Sequence, residues 1–388
     1  MNLPIAQLAS HPTPFYFYDM ALLSETLQAI KEASSTPGFC VHYAVKANAN
    51  EPILRAIAQA GFGADTVSGG EILRALSCGF SPEKIVFAGV GKSDAEITLA
   101  LSRGISCINV ESAEELAVIE QTAARMGLRA PVALRVNPEI DAHTHHYITT
   151  ALAENKFGIA MSRLLPLVSH ILSSPSLQFR GLHFHIGSQI TTLEPYRLLC
   201  SRIITLQDLL ATHGIQLPAI NVGGGLGVDY THPLANPIPD FSAYFSTFRD
   251  HLPLRPGQQL HFELGRSVVA QCGALISRVL YVKQGVDKQF VILDAGMTDL
   301  IRPALYQASH AIINLTAAAD PARAQLPEQP YDIVGPICES SDTFATDRPL
   351  PPTLRGDLIA ILSAGAYGQI MSSGYNLRPL PPAIYSTD

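Results

Sequence analysis

The sequence predicts an α/β protein in which a (β/α)8 TIM barrel is followed by a second domain that is mainly β. Three observations predict this fold. Between about residues 40 and 265, eight short runs of β-branched or apolar residues alternate with longer stretches of helical periodicity. After residue 265, short strands separated by Gly, Pro and Asp replace that alternation. Finally, 47% of the 388 residues are hydrophobic and only 15% are charged, so much of the chain must face inward.

The eight predicted barrel strands are all short. They are CVHYAVKA at 40–47, FGADTVS at 62–68, KIVFAG at 84–89, SCINVES at 106–112, PVALRVN at 131–137, FRGLHFHIG at 179–187, AINVGGG at 219–225 and QLHFEL at 259–264. Between them, stretches such as EPILRAIAQAG place apolar residues at i, i+3, i+4 and i+7 and end in glycine, which is typical of an amphipathic helix with a left-handed C-cap. Alternating strands and helices indicate a parallel sheet, and eight units in roughly 220 residues fit a closed barrel better than an open doubly wound sheet.

The change of pattern near residue 265 predicts two domains, the barrel at 21–265 and a β domain at 266–388. The runs FVILDAG, YDIVGPICESSD and GDLIAILSAGAYG indicate the β domain, because they carry little helical periodicity. The opening FYFYD at 15–19 has the same aromatic strand character. We therefore expect the N-terminal residues 1–20 to join the β domain, which makes that domain discontinuous.

Composition and charge exclude several classes of partner. The 26 Lys and Arg against 33 Asp and Glu give a net charge of −7, too acidic and too evenly spread for a nucleic-acid surface. No run approaches the roughly 18–20 apolar residues that span a bilayer. The opening residues show neither a basic leader nor a continuous apolar region before a cleavage site, so we expect no secretory signal. The six cysteines are scattered without a CxxC pair, as suits a reducing compartment. We expect a cytoplasmic protein that binds neither nucleic acid nor membrane.

The carboxyl ends of the predicted strands are unusually polar. In barrels of this kind the reactive side chains lie at those ends. The residues there are Lys46, Asp65, Ser68, Asn109, Glu111, Arg135, Asn137, His183, His185, Gly223–Gly225 and Glu263, and the strand period of two puts both histidines on one side of the sixth strand. A lysine, two histidines, a glycine cluster and a carboxylate at one mouth indicate a site for an anionic organic cofactor.

Lys46 is the candidate for the chemistry of that cofactor. At the end of an apolar strand its amine is partly desolvated, so it can be neutral enough to attack a carbonyl and form a Schiff base. The plain alternative is a lysine that reaches solvent or pairs with a strand-end carboxylate. The glycines of GGGLG at 223–227 let backbone N–H groups approach a phosphate, although such a cluster is as often a tight turn.

Spacing disfavours two other kinds of site. A dinucleotide fingerprint GxGxxG read from Gly223 puts Val228 where the third glycine belongs, and the cluster lies late in the chain. HTHH at 143–146 and HFH at 183–185 suggest a metal, yet no HExxH or Cys/His quartet accompanies them. We therefore expect neither a nicotinamide-binding fold nor a metal.

Several longer motifs occur in the order typical of a known family. They are HYAVKAN around Lys46, VSGGE at 67–71, INVES at 108–112, DAHTHHYI at 141–148, ENKFGI at 154–159, HIGSQ at 185–189, GGGLG, FELGR at 262–266, DAGMTDLIRPALY at 294–306 and CESSD at 338–342. Over nearly its whole length the chain resembles the fold-type III pyridoxal-phosphate decarboxylases, and within them it is similar to the diaminopimelate decarboxylases. The resemblance implies an alanine-racemase-like barrel with a C-terminal β domain.

The resemblance also implies roles for individual residues. Lys46 would hold pyridoxal 5'-phosphate as a Schiff base, His185 would stack on its ring, and Glu263 would bond the pyridine nitrogen and keep the ring cationic. The other implied cofactor contacts are Asp65, Ser188, Gly225, Gly265, Arg266 and Tyr367. The chain has ELGR where the family usually has EPGR, so Leu264 stands in place of a turn-stiffening proline and no functional side chain is lost.

The implied reaction is the decarboxylation of meso-2,6-diaminopimelate to L-lysine and CO2, with Cys338 as the proton donor. The polar surroundings of this cysteine in PICESSD argue against an inert buried thiol. A substrate with a second amino-acid head needs partners for a distal carboxylate and ammonium, and the implied substrate contacts are Arg266, Arg302, Tyr306, Glu339 and Tyr367. In the family the segment 338–342 crosses to the neighbouring subunit, so the resemblance implies a homodimer with shared active sites.

Two alternatives stay open from the sequence. A carboxynorspermidine, ornithine or other basic amino-acid decarboxylase would share the cofactor residues but would lack DAHTHHYI and the pair Arg266 and Arg302. A non-enzymatic carrier of pyridoxal phosphate would need only Lys46 and the glycine loop. It would not need the β domain that carries Cys338, Glu339 and Tyr367.

Overall fold

The computed structural model describes residues 1–138 and 156–386. The predicted motifs DAHTHHYI at 141–148 and HTHH at 143–146, and the first two residues of ENKFGI at 154–159, lie outside the described residues. Within those described ranges, no helix combines the length and the apolar character that crossing a membrane requires.

The strands of the described residues are short. In chain order they are β1 Phe15–Tyr18, β2 Phe39–Ala44, β3 Gly63–Thr66, β4 Ile85–Phe87, β5 Cys107–Val110, β6 Ala130–Arg135, β7 Leu177–His183, β8 Ala219–Asn221, β9 Gln259–Leu264, β10 Gly273–Gln284, β11 Gln289–Leu293, β12 Ile312–Asn314, β13 Gln329–Val334, β14 Thr343–Leu350, β15 Leu358–Ile361 and β16 Ala383–Tyr385. Strands β2 to β9 each overlap one of the eight predicted runs, in the same order.

The helices lie mainly between the barrel strands. They are α1 Ile5–Ala9, α2 Met20–Ala33, α3 Glu51–Gln59, α4 Gly69–Ser77, α5 Asp94–Ser102, α6 Ala113–Met126, α7 Leu164–Ser173, α8 Glu194–Thr212, α9 Phe241–His251, α10 Arg266–Val269, α11 Arg302–Tyr306, α12 Leu315–Ala319 and α13 Pro321–Ala324. The serines Ser68, Ser93 and Ser112 each accept a hydrogen bond from a first-turn backbone N–H. These caps start α4 and α6 directly after β3 and β5, and α5 after a longer connection from β4.

Strands β2 to β9 form a closed parallel barrel in chain order. The closing pair joins β2 to β9, with Phe39 opposite Leu260 at one end and Tyr43 opposite Leu264 at the other. Gly181 in β7 allows close pairing with β8, because a Cβ at that position would overlap the backbone of the neighbouring strand. The predicted barrel is confirmed, and its carboxyl strand ends meet on one side.

The remaining strands form one sheet in the order β12-β15-β10-β11-β13-β14; β1 also pairs with β10, and β16 pairs with β1. Phe17 of β1 lies antiparallel to Ala274 of β10. The core of this sheet packs Phe15 and Phe17 against Ile276 and neighbouring aliphatic residues. The predicted mainly β part of the fold is therefore confirmed, and the N-terminal strand belongs to its sheet.

Contacts divide the chain into two compact units. The barrel unit holds Leu27–Gly227 and Asp240–Gly265, and the β unit holds Met1–Thr26, Val228–Pro239 and Arg266–Asp388. The segment Val228–Pro239, which follows the glycine cluster in sequence, therefore groups with the β unit. The predicted barrel range 21–265 includes this segment and residues 21–26.

Candidate active site

Lys46 lies at the carboxyl end of the first barrel strand. Strand β2 ends at Ala44, and the chain then makes one turn of 3-10 helix, Val45–Ala47. The Nζ atom of Lys46 lies 3.6 Å from Oδ2 of Asp65 in the next strand, β3. The side chain of Lys46 is 41% exposed, whereas that of Asp65 is 1% exposed. The amine is thus held at the barrel mouth beside a buried carboxyl group.

Asp65 is a buried carboxyl group, and neither of its oxygens has a hydrogen-bond partner among the described residues. Burial, followed by the nearby charge of Glu263, raises the pKa of Asp65 well above its usual value, while Lys46 acts in the opposite direction. Buried polar atoms normally have partners, so these two oxygens indicate that a polar ligand group belongs beside them.

Of the two buried carboxyl groups, Asp65 and Glu263, the charged one is Glu263, near the end of β9. Its Oε1 accepts hydrogen bonds from Asn221 Nδ2 at 2.7 Å and Asn109 Nδ2 at 3.3 Å, and Oε2 is 3.0 Å from His183 Nε2. Burial by itself would raise the pKa of Glu263, but His183 and Lys46 outweigh it and hold that pKa well below its usual value. Glu263 is therefore a buried anion that three side chains hold in place at the end of β9.

His185 lies beyond the end of its strand. The sequence predicts a strand through residue 187, but β7 ends at His183, because the neighbouring strand β8 is only three residues long and its ladder ends there. The two histidines therefore make different contacts. The Nδ1 atom of His185 accepts the backbone N–H of Gly224 at 3.4 Å. Burial, then the charges of Arg135 and Lys46, lower the pKa of His185 well below its usual value, so its ring is neutral.

The glycine cluster is a tight loop that only glycine can form. Gly223 and Gly225 have left-handed φ angles of 68° and 101°. A Cβ on Gly224 would overlap the backbone carbonyl of Glu263. The carbonyl of Gly225 accepts the backbone N–H of Ile190 at 2.8 Å, which ties the loop to the segment after β7. Backbone amides thus come close to the barrel mouth, as a phosphate site requires.

Three further expected positions flank this loop. Ser188 is partly buried in the segment after β7. Leu264, which stands where the family has proline, is fully buried and pairs with Tyr43, so the barrel ladder itself positions the end of β9. Gly265 follows directly, and a Cβ there would lie 3.0 Å from the Cβ of Ala44. The chain therefore leaves β9 pressed against the turn that carries the lysine.

The residues of the barrel mouth fit pyridoxal phosphate. An amine able to hold an aldehyde is ion-paired with the buried carboxylate of Asp65, whose oxygens have no hydrogen-bond partner within the described part of the chain. An anionic carboxylate and a neutral imidazole suit a nitrogen heterocycle, and the glycine loop suits a phosphate. No cluster of three or more His, Cys, Asp or Glu side chains arranged to hold a metal ion occurs in the part of the chain that the structure describes.

In the β unit, Arg266 is buried among tyrosines. Its Nη1 donates to the hydroxyl of Tyr230 at 2.7 Å, and its Cζ lies 4.9 Å from the ring centroid of Tyr367. Burial lowers the pKa of Arg266, but Tyr230, Tyr367 and Tyr306 more than offset this effect. Arg266 is therefore a firmly charged guanidinium on the first residue of α10.

Arg302, the first residue of α11, is the second buried guanidinium of the β unit. Its Nη1 lies 2.9 Å from Nε2 of His310, and its Cζ lies 4.9 Å from the ring centroid of Tyr230. Among the described residues Arg302 forms no ion pair with a carboxylate. Tyr306 lies on the same helix, one turn later. A buried cation without a carboxylate partner is suited to an anionic ligand.

Cys338 and Glu339 lie in a turn that Asp342 shapes. Cys338 is exposed, and Oε1 of Glu339 accepts the hydroxyl of Tyr375 at 2.7 Å. The carboxylate of Asp342 accepts the backbone N–H of Ile337 at 2.7 Å. This bond fixes the turn, so the thiol and the Glu339 carboxylate are presented together on the surface of the β unit.

The expected site residues are brought together within each unit. The barrel unit assembles Lys46, Asp65, His185, Ser188, Gly225, Glu263 and Gly265, and the β unit assembles Arg266, Arg302, Tyr306 and Tyr367, with Cys338 and Glu339 sharing one turn. Sequence reasoning missed Asn221, Tyr230 and His310. The rule that polar strand ends carry function could have found Asn221, the last residue of β8. Nothing local marks Tyr230, which lies 36 residues from the arginine it contacts.

Comparisons with known proteins place the chain among characterised enzymes. The family described as "Pyridoxal-dependent decarboxylase, pyridoxal binding domain" matches residues 21–270. A diaminopimelate decarboxylase of Bacteroides thetaiotaomicron is 55% identical over 386 residues, which cover 99% of this chain and 98% of the relative. A diaminopimelate decarboxylase of Vibrio cholerae is 43% identical over 379 residues, which cover 97% and 88%.

Solved structures show the same similarity. Diaminopimelate decarboxylase from Helicobacter pylori, complexed with L-lysine, superposes with a TM-score of 0.91 at 42% identity, covering 98% of this chain and 93% of that one. A lysine/ornithine decarboxylase from Vibrio vulnificus, complexed with putrescine, has a TM-score of 0.83 at 20% identity, covering 98% and 96%. The second comparison shows a shared fold alone.

Proposed function

The chain belongs to the diaminopimelate decarboxylases, within the pyridoxal-dependent decarboxylase family, and from this premise we propose how its residues carry out the reaction. It is a carboxy-lyase that uses pyridoxal 5'-phosphate to convert meso-2,6-diaminopimelate to L-lysine and CO2, the last step of lysine biosynthesis. The observation that carries this assignment is 55% identity over 99% of the chain.

The barrel residues are assigned to the cofactor. When bound, pyridoxal phosphate supplies an electron-accepting ring for the electron pair that a departing carboxylate leaves behind. Lys46 holds the cofactor through its amine, which Asp65 keeps at the barrel mouth. Glu263, whose carboxylate is fixed by three donors, would keep a proton on the ring nitrogen of the bound cofactor. His185, a neutral imidazole, would stack on the ring of the bound cofactor.

The phosphate is assigned to backbone and small side chains. Gly225 would bring its amide N–H close to the phosphate without a Cβ in the way, and Ser188 would add a hydroxyl from the segment that the loop is bonded to. Gly265 permits the close passage of the chain from β9 into α10, whose first residue is Arg266. The guanidinium of Arg266 contributes positive charge, and Tyr367 stacks on that guanidinium.

The far end of the substrate is assigned to the β unit. Arg302 is a buried cation without a carboxylate partner among the described residues, and Tyr306 adds a hydroxyl from the same helix. A guanidinium recognises a carboxylate through paired N–H donors, so Arg302 is matched to the distal carboxylate. Glu339 is matched to the distal ammonium group. A basic amino acid that lacks the distal carboxylate would leave Arg302 buried and unneutralised.

We further propose a homodimer in which the exposed turn with Cys338 and Glu339 completes the site of the neighbouring subunit, Cys338 giving the proton that replaces the lost carboxylate. Mixing two inactive variants, Lys46→Ala and Cys338→Ala, tests this arrangement. Hybrid dimers with one intact site should recover up to about a quarter of wild-type activity on statistical grounds. Demonstrated subunit exchange without recovery would place the thiol in its own subunit's site.

We also propose that the enzyme is cytoplasmic, since all six of its cysteines are free thiols, as suits a reducing compartment. The range 21–265 would bind the cofactor. The range 266–388, joined by residues 1–20, would supply the substrate and partner contacts. We expect no nucleic-acid or membrane partner.

The function is tested by measuring CO2 release from the purified protein with pyridoxal phosphate. Meso-diaminopimelate, ornithine and lysine are supplied separately, and Arg302→Ala serves as a comparison. Rapid release from meso-diaminopimelate alone supports the proposal. Faster release from ornithine or lysine would identify a basic amino-acid decarboxylase instead, and no release from any of the three would leave a non-enzymatic carrier.

A further inference from the structure

Arg302 is oriented by a buried histidine. The Nδ1 atom of His310 lies 2.8 Å from the carbonyl oxygen of Leu362, which can only accept, so Nδ1 carries the proton. Nε2 is then a lone-pair acceptor, and it receives Nη1 of Arg302 at 2.9 Å. Both side chains are buried, with 3% and 5% of their surface exposed. A neutral imidazole thus accepts one guanidinium N–H of Arg302 without neutralising its charge.

Tyr230 contacts both arginines of the β unit. Its ring centroid lies 4.9 Å from Cζ of Arg302, and its hydroxyl accepts Nη1 of Arg266 at 2.7 Å. The ring of His310 meets the ring of Tyr230 nearly edge-on, with centroids 5.1 Å apart and an angle of 78° between the planes. Tyr230 and His310 therefore form one contact surface for the two guanidinium groups, which we call the guanidinium clamp.

Hydrogen bonds fix the conformation of the segment that carries Tyr230. The carboxylate of Asp229 accepts the backbone N–H groups of Thr231 and His232, both at 2.8 Å, and the side chain of Asn236 at 2.9 Å. The side chain of Gln271 donates to the backbone carbonyls of Asp229 and Asn236. Since Gln271 follows α10, whose first residue is Arg266, the tyrosine and one of its arginines are tied to the same local scaffold.

Burial and mutual repulsion both disfavour the charged forms of Arg266 and Arg302. The contacts of the guanidinium clamp stabilise these charged forms. Burial and the charge of Arg266 lower the pKa of Arg302, and Tyr230 acts in the opposite direction. An aromatic face and a neutral nitrogen acceptor stabilise a buried guanidinium without neutralising it. A carboxylate at the same place would neutralise the cation and compete with an anionic ligand. The clamp therefore keeps the positive charge available for that ligand.

We infer that Tyr230 and His310 are positioning residues that aim the guanidinium of Arg302 at the distal carboxylate of the substrate. They thereby set the preference for a substrate with a second carboxylate over a basic amino acid that lacks one. This inference rests on the proposed function. Neither residue reacts, and both act through Arg302, so their loss should weaken substrate binding and leave the chemical step nearly intact.

Two substitutions of His310 separate its two hydrogen bonds. His310→Gln keeps an oxygen near the position of Nε2 and so preserves an acceptor for Arg302. His310→Asn keeps an N–H near the position of Nδ1, which can still donate to the carbonyl of Leu362. It has no acceptor at the position of Nε2, so the hydrogen bond with Arg302 is lost. His310→Asn should raise KM for meso-diaminopimelate about 10- to 100-fold with kcat within about threefold of wild type, and His310→Gln should stay within about threefold in both constants.

The substitutions of Tyr230 give a graded series. Tyr230→Phe keeps the aromatic face over Arg302 and should raise KM by about threefold, whereas Tyr230→Leu removes that face and should raise KM about 10- to 30-fold. Matched controls exist on the surface. His170→Asn removes an exposed histidine that pairs with Glu120, and Tyr281→Leu removes an exposed aromatic face under Arg355. Both controls should keep wild-type constants.

The outcomes separate the inference from the proposed function. If the wild type releases CO2 from meso-diaminopimelate and the His310→Asn and Tyr230→Leu variants, shown to be folded by circular dichroism, keep the wild-type KM, the clamp is refuted and the function stands. If His310→Asn does not fold, the pair Tyr230→Phe and Tyr230→Leu decides, and equal KM values overturn the inference. A wild type inactive on meso-diaminopimelate refutes the proposed function, and the inference with it.

Discussion

Replacing Glu263 by glutamine removes one negative charge from the barrel interior while keeping the shape of the side chain. In the wild type, Oε1 accepts the amides of Asn221 and Asn109, and Oε2 faces Nε2 of His183 at 3.0 Å. A glutamine has only one oxygen, so its NH2 group must face either the two asparagines or the histidine. Facing the histidine is the better choice, because an imidazole can move its proton to Nδ1 and accept on Nε2.

The structural cost of that rearrangement is limited. Nδ1 of His183 is buried without a hydrogen-bond partner among the described residues, so a proton placed there is left unsatisfied. We therefore expect Glu263→Gln to lower the free energy of unfolding by about 1–3 kcal/mol, the cost of one unsatisfied buried donor. The catalytic cost should be larger. Loss of a preorganised charge from an enclosed site lowers turnover about 10²- to 10³-fold, which is about 2.7–4 kcal/mol in the activation barrier.

The assay measures kcat for CO2 release together with the visible absorbance of the cofactor bound to Lys46. Glu263→Gln should keep that absorbance and lose turnover. Glu120→Gln is a matched control, because Glu120 also contacts a histidine, His170 at 2.7 Å, but near the surface and away from the barrel mouth. It should keep wild-type turnover. Normal turnover in Glu263→Gln would refute the reasoning that the charge of Glu263 is needed.

Three further predictions concern substrate binding, the glycine loop and pH. Arg302→Ala should raise KM for meso-diaminopimelate about 100-fold or more, since a charge-assisted pair with the distal carboxylate is lost; an unchanged KM in steady-state kinetics would contradict this. Gly224→Ala should cost about 3 kcal/mol or more in urea unfolding, because its Cβ overlaps the backbone carbonyl of Glu263, whereas Gly91→Ala has open space and should cost little; equal effects would refute the steric account. Burial and a neighbouring histidine lower the pKa of His261 to about 3, against roughly 6.5 when unfolded, so the unfolded chain binds the proton first. The free energy of unfolding should fall as pH drops below about 6.5, and His261 contributes up to about 1.4 kcal/mol of this loss per pH unit. His261→Asn should lose less stability than the wild type between about pH 7 and pH 5. Identical losses would exclude His261 as the cause.

The barrel could be predicted from sequence because its strands and helices are local patterns. The predicted run at 40–47, which contains Lys46, overlaps β2, and the predicted run at 259–264, which contains Glu263, matches β9; the closing pair of the barrel joins these two strands. The end of β7 could not be predicted so well. Its length is set by β8, which stops at Asn221, and nothing in the run through His185 records where a neighbouring strand ends.

Site residues with reactive side chains at the ends of strands could be predicted from the sequence. Site residues whose partners are distant in the chain could not. Polar residues at strand ends pointed to Lys46 and Asp65 directly, and those two lie 3.6 Å apart. Tyr230 gave no signal, because a tyrosine in a loop has no period and its guanidinium partners come from α10 and α11. His310 gave none either, since a lone histidine shows neither which nitrogen is protonated nor which carbonyl it faces.

The central claim is that this chain converts meso-diaminopimelate to L-lysine at a site built around Lys46. The most direct measurement is the amount of L-lysine formed, by amino-acid chromatography, alongside the CO2 released by wild-type protein and by Lys46→Ala. The account predicts equal amounts of lysine and CO2 from the wild type and neither from the variant. CO2 without lysine, or wild-type release by Lys46→Ala, would contradict it.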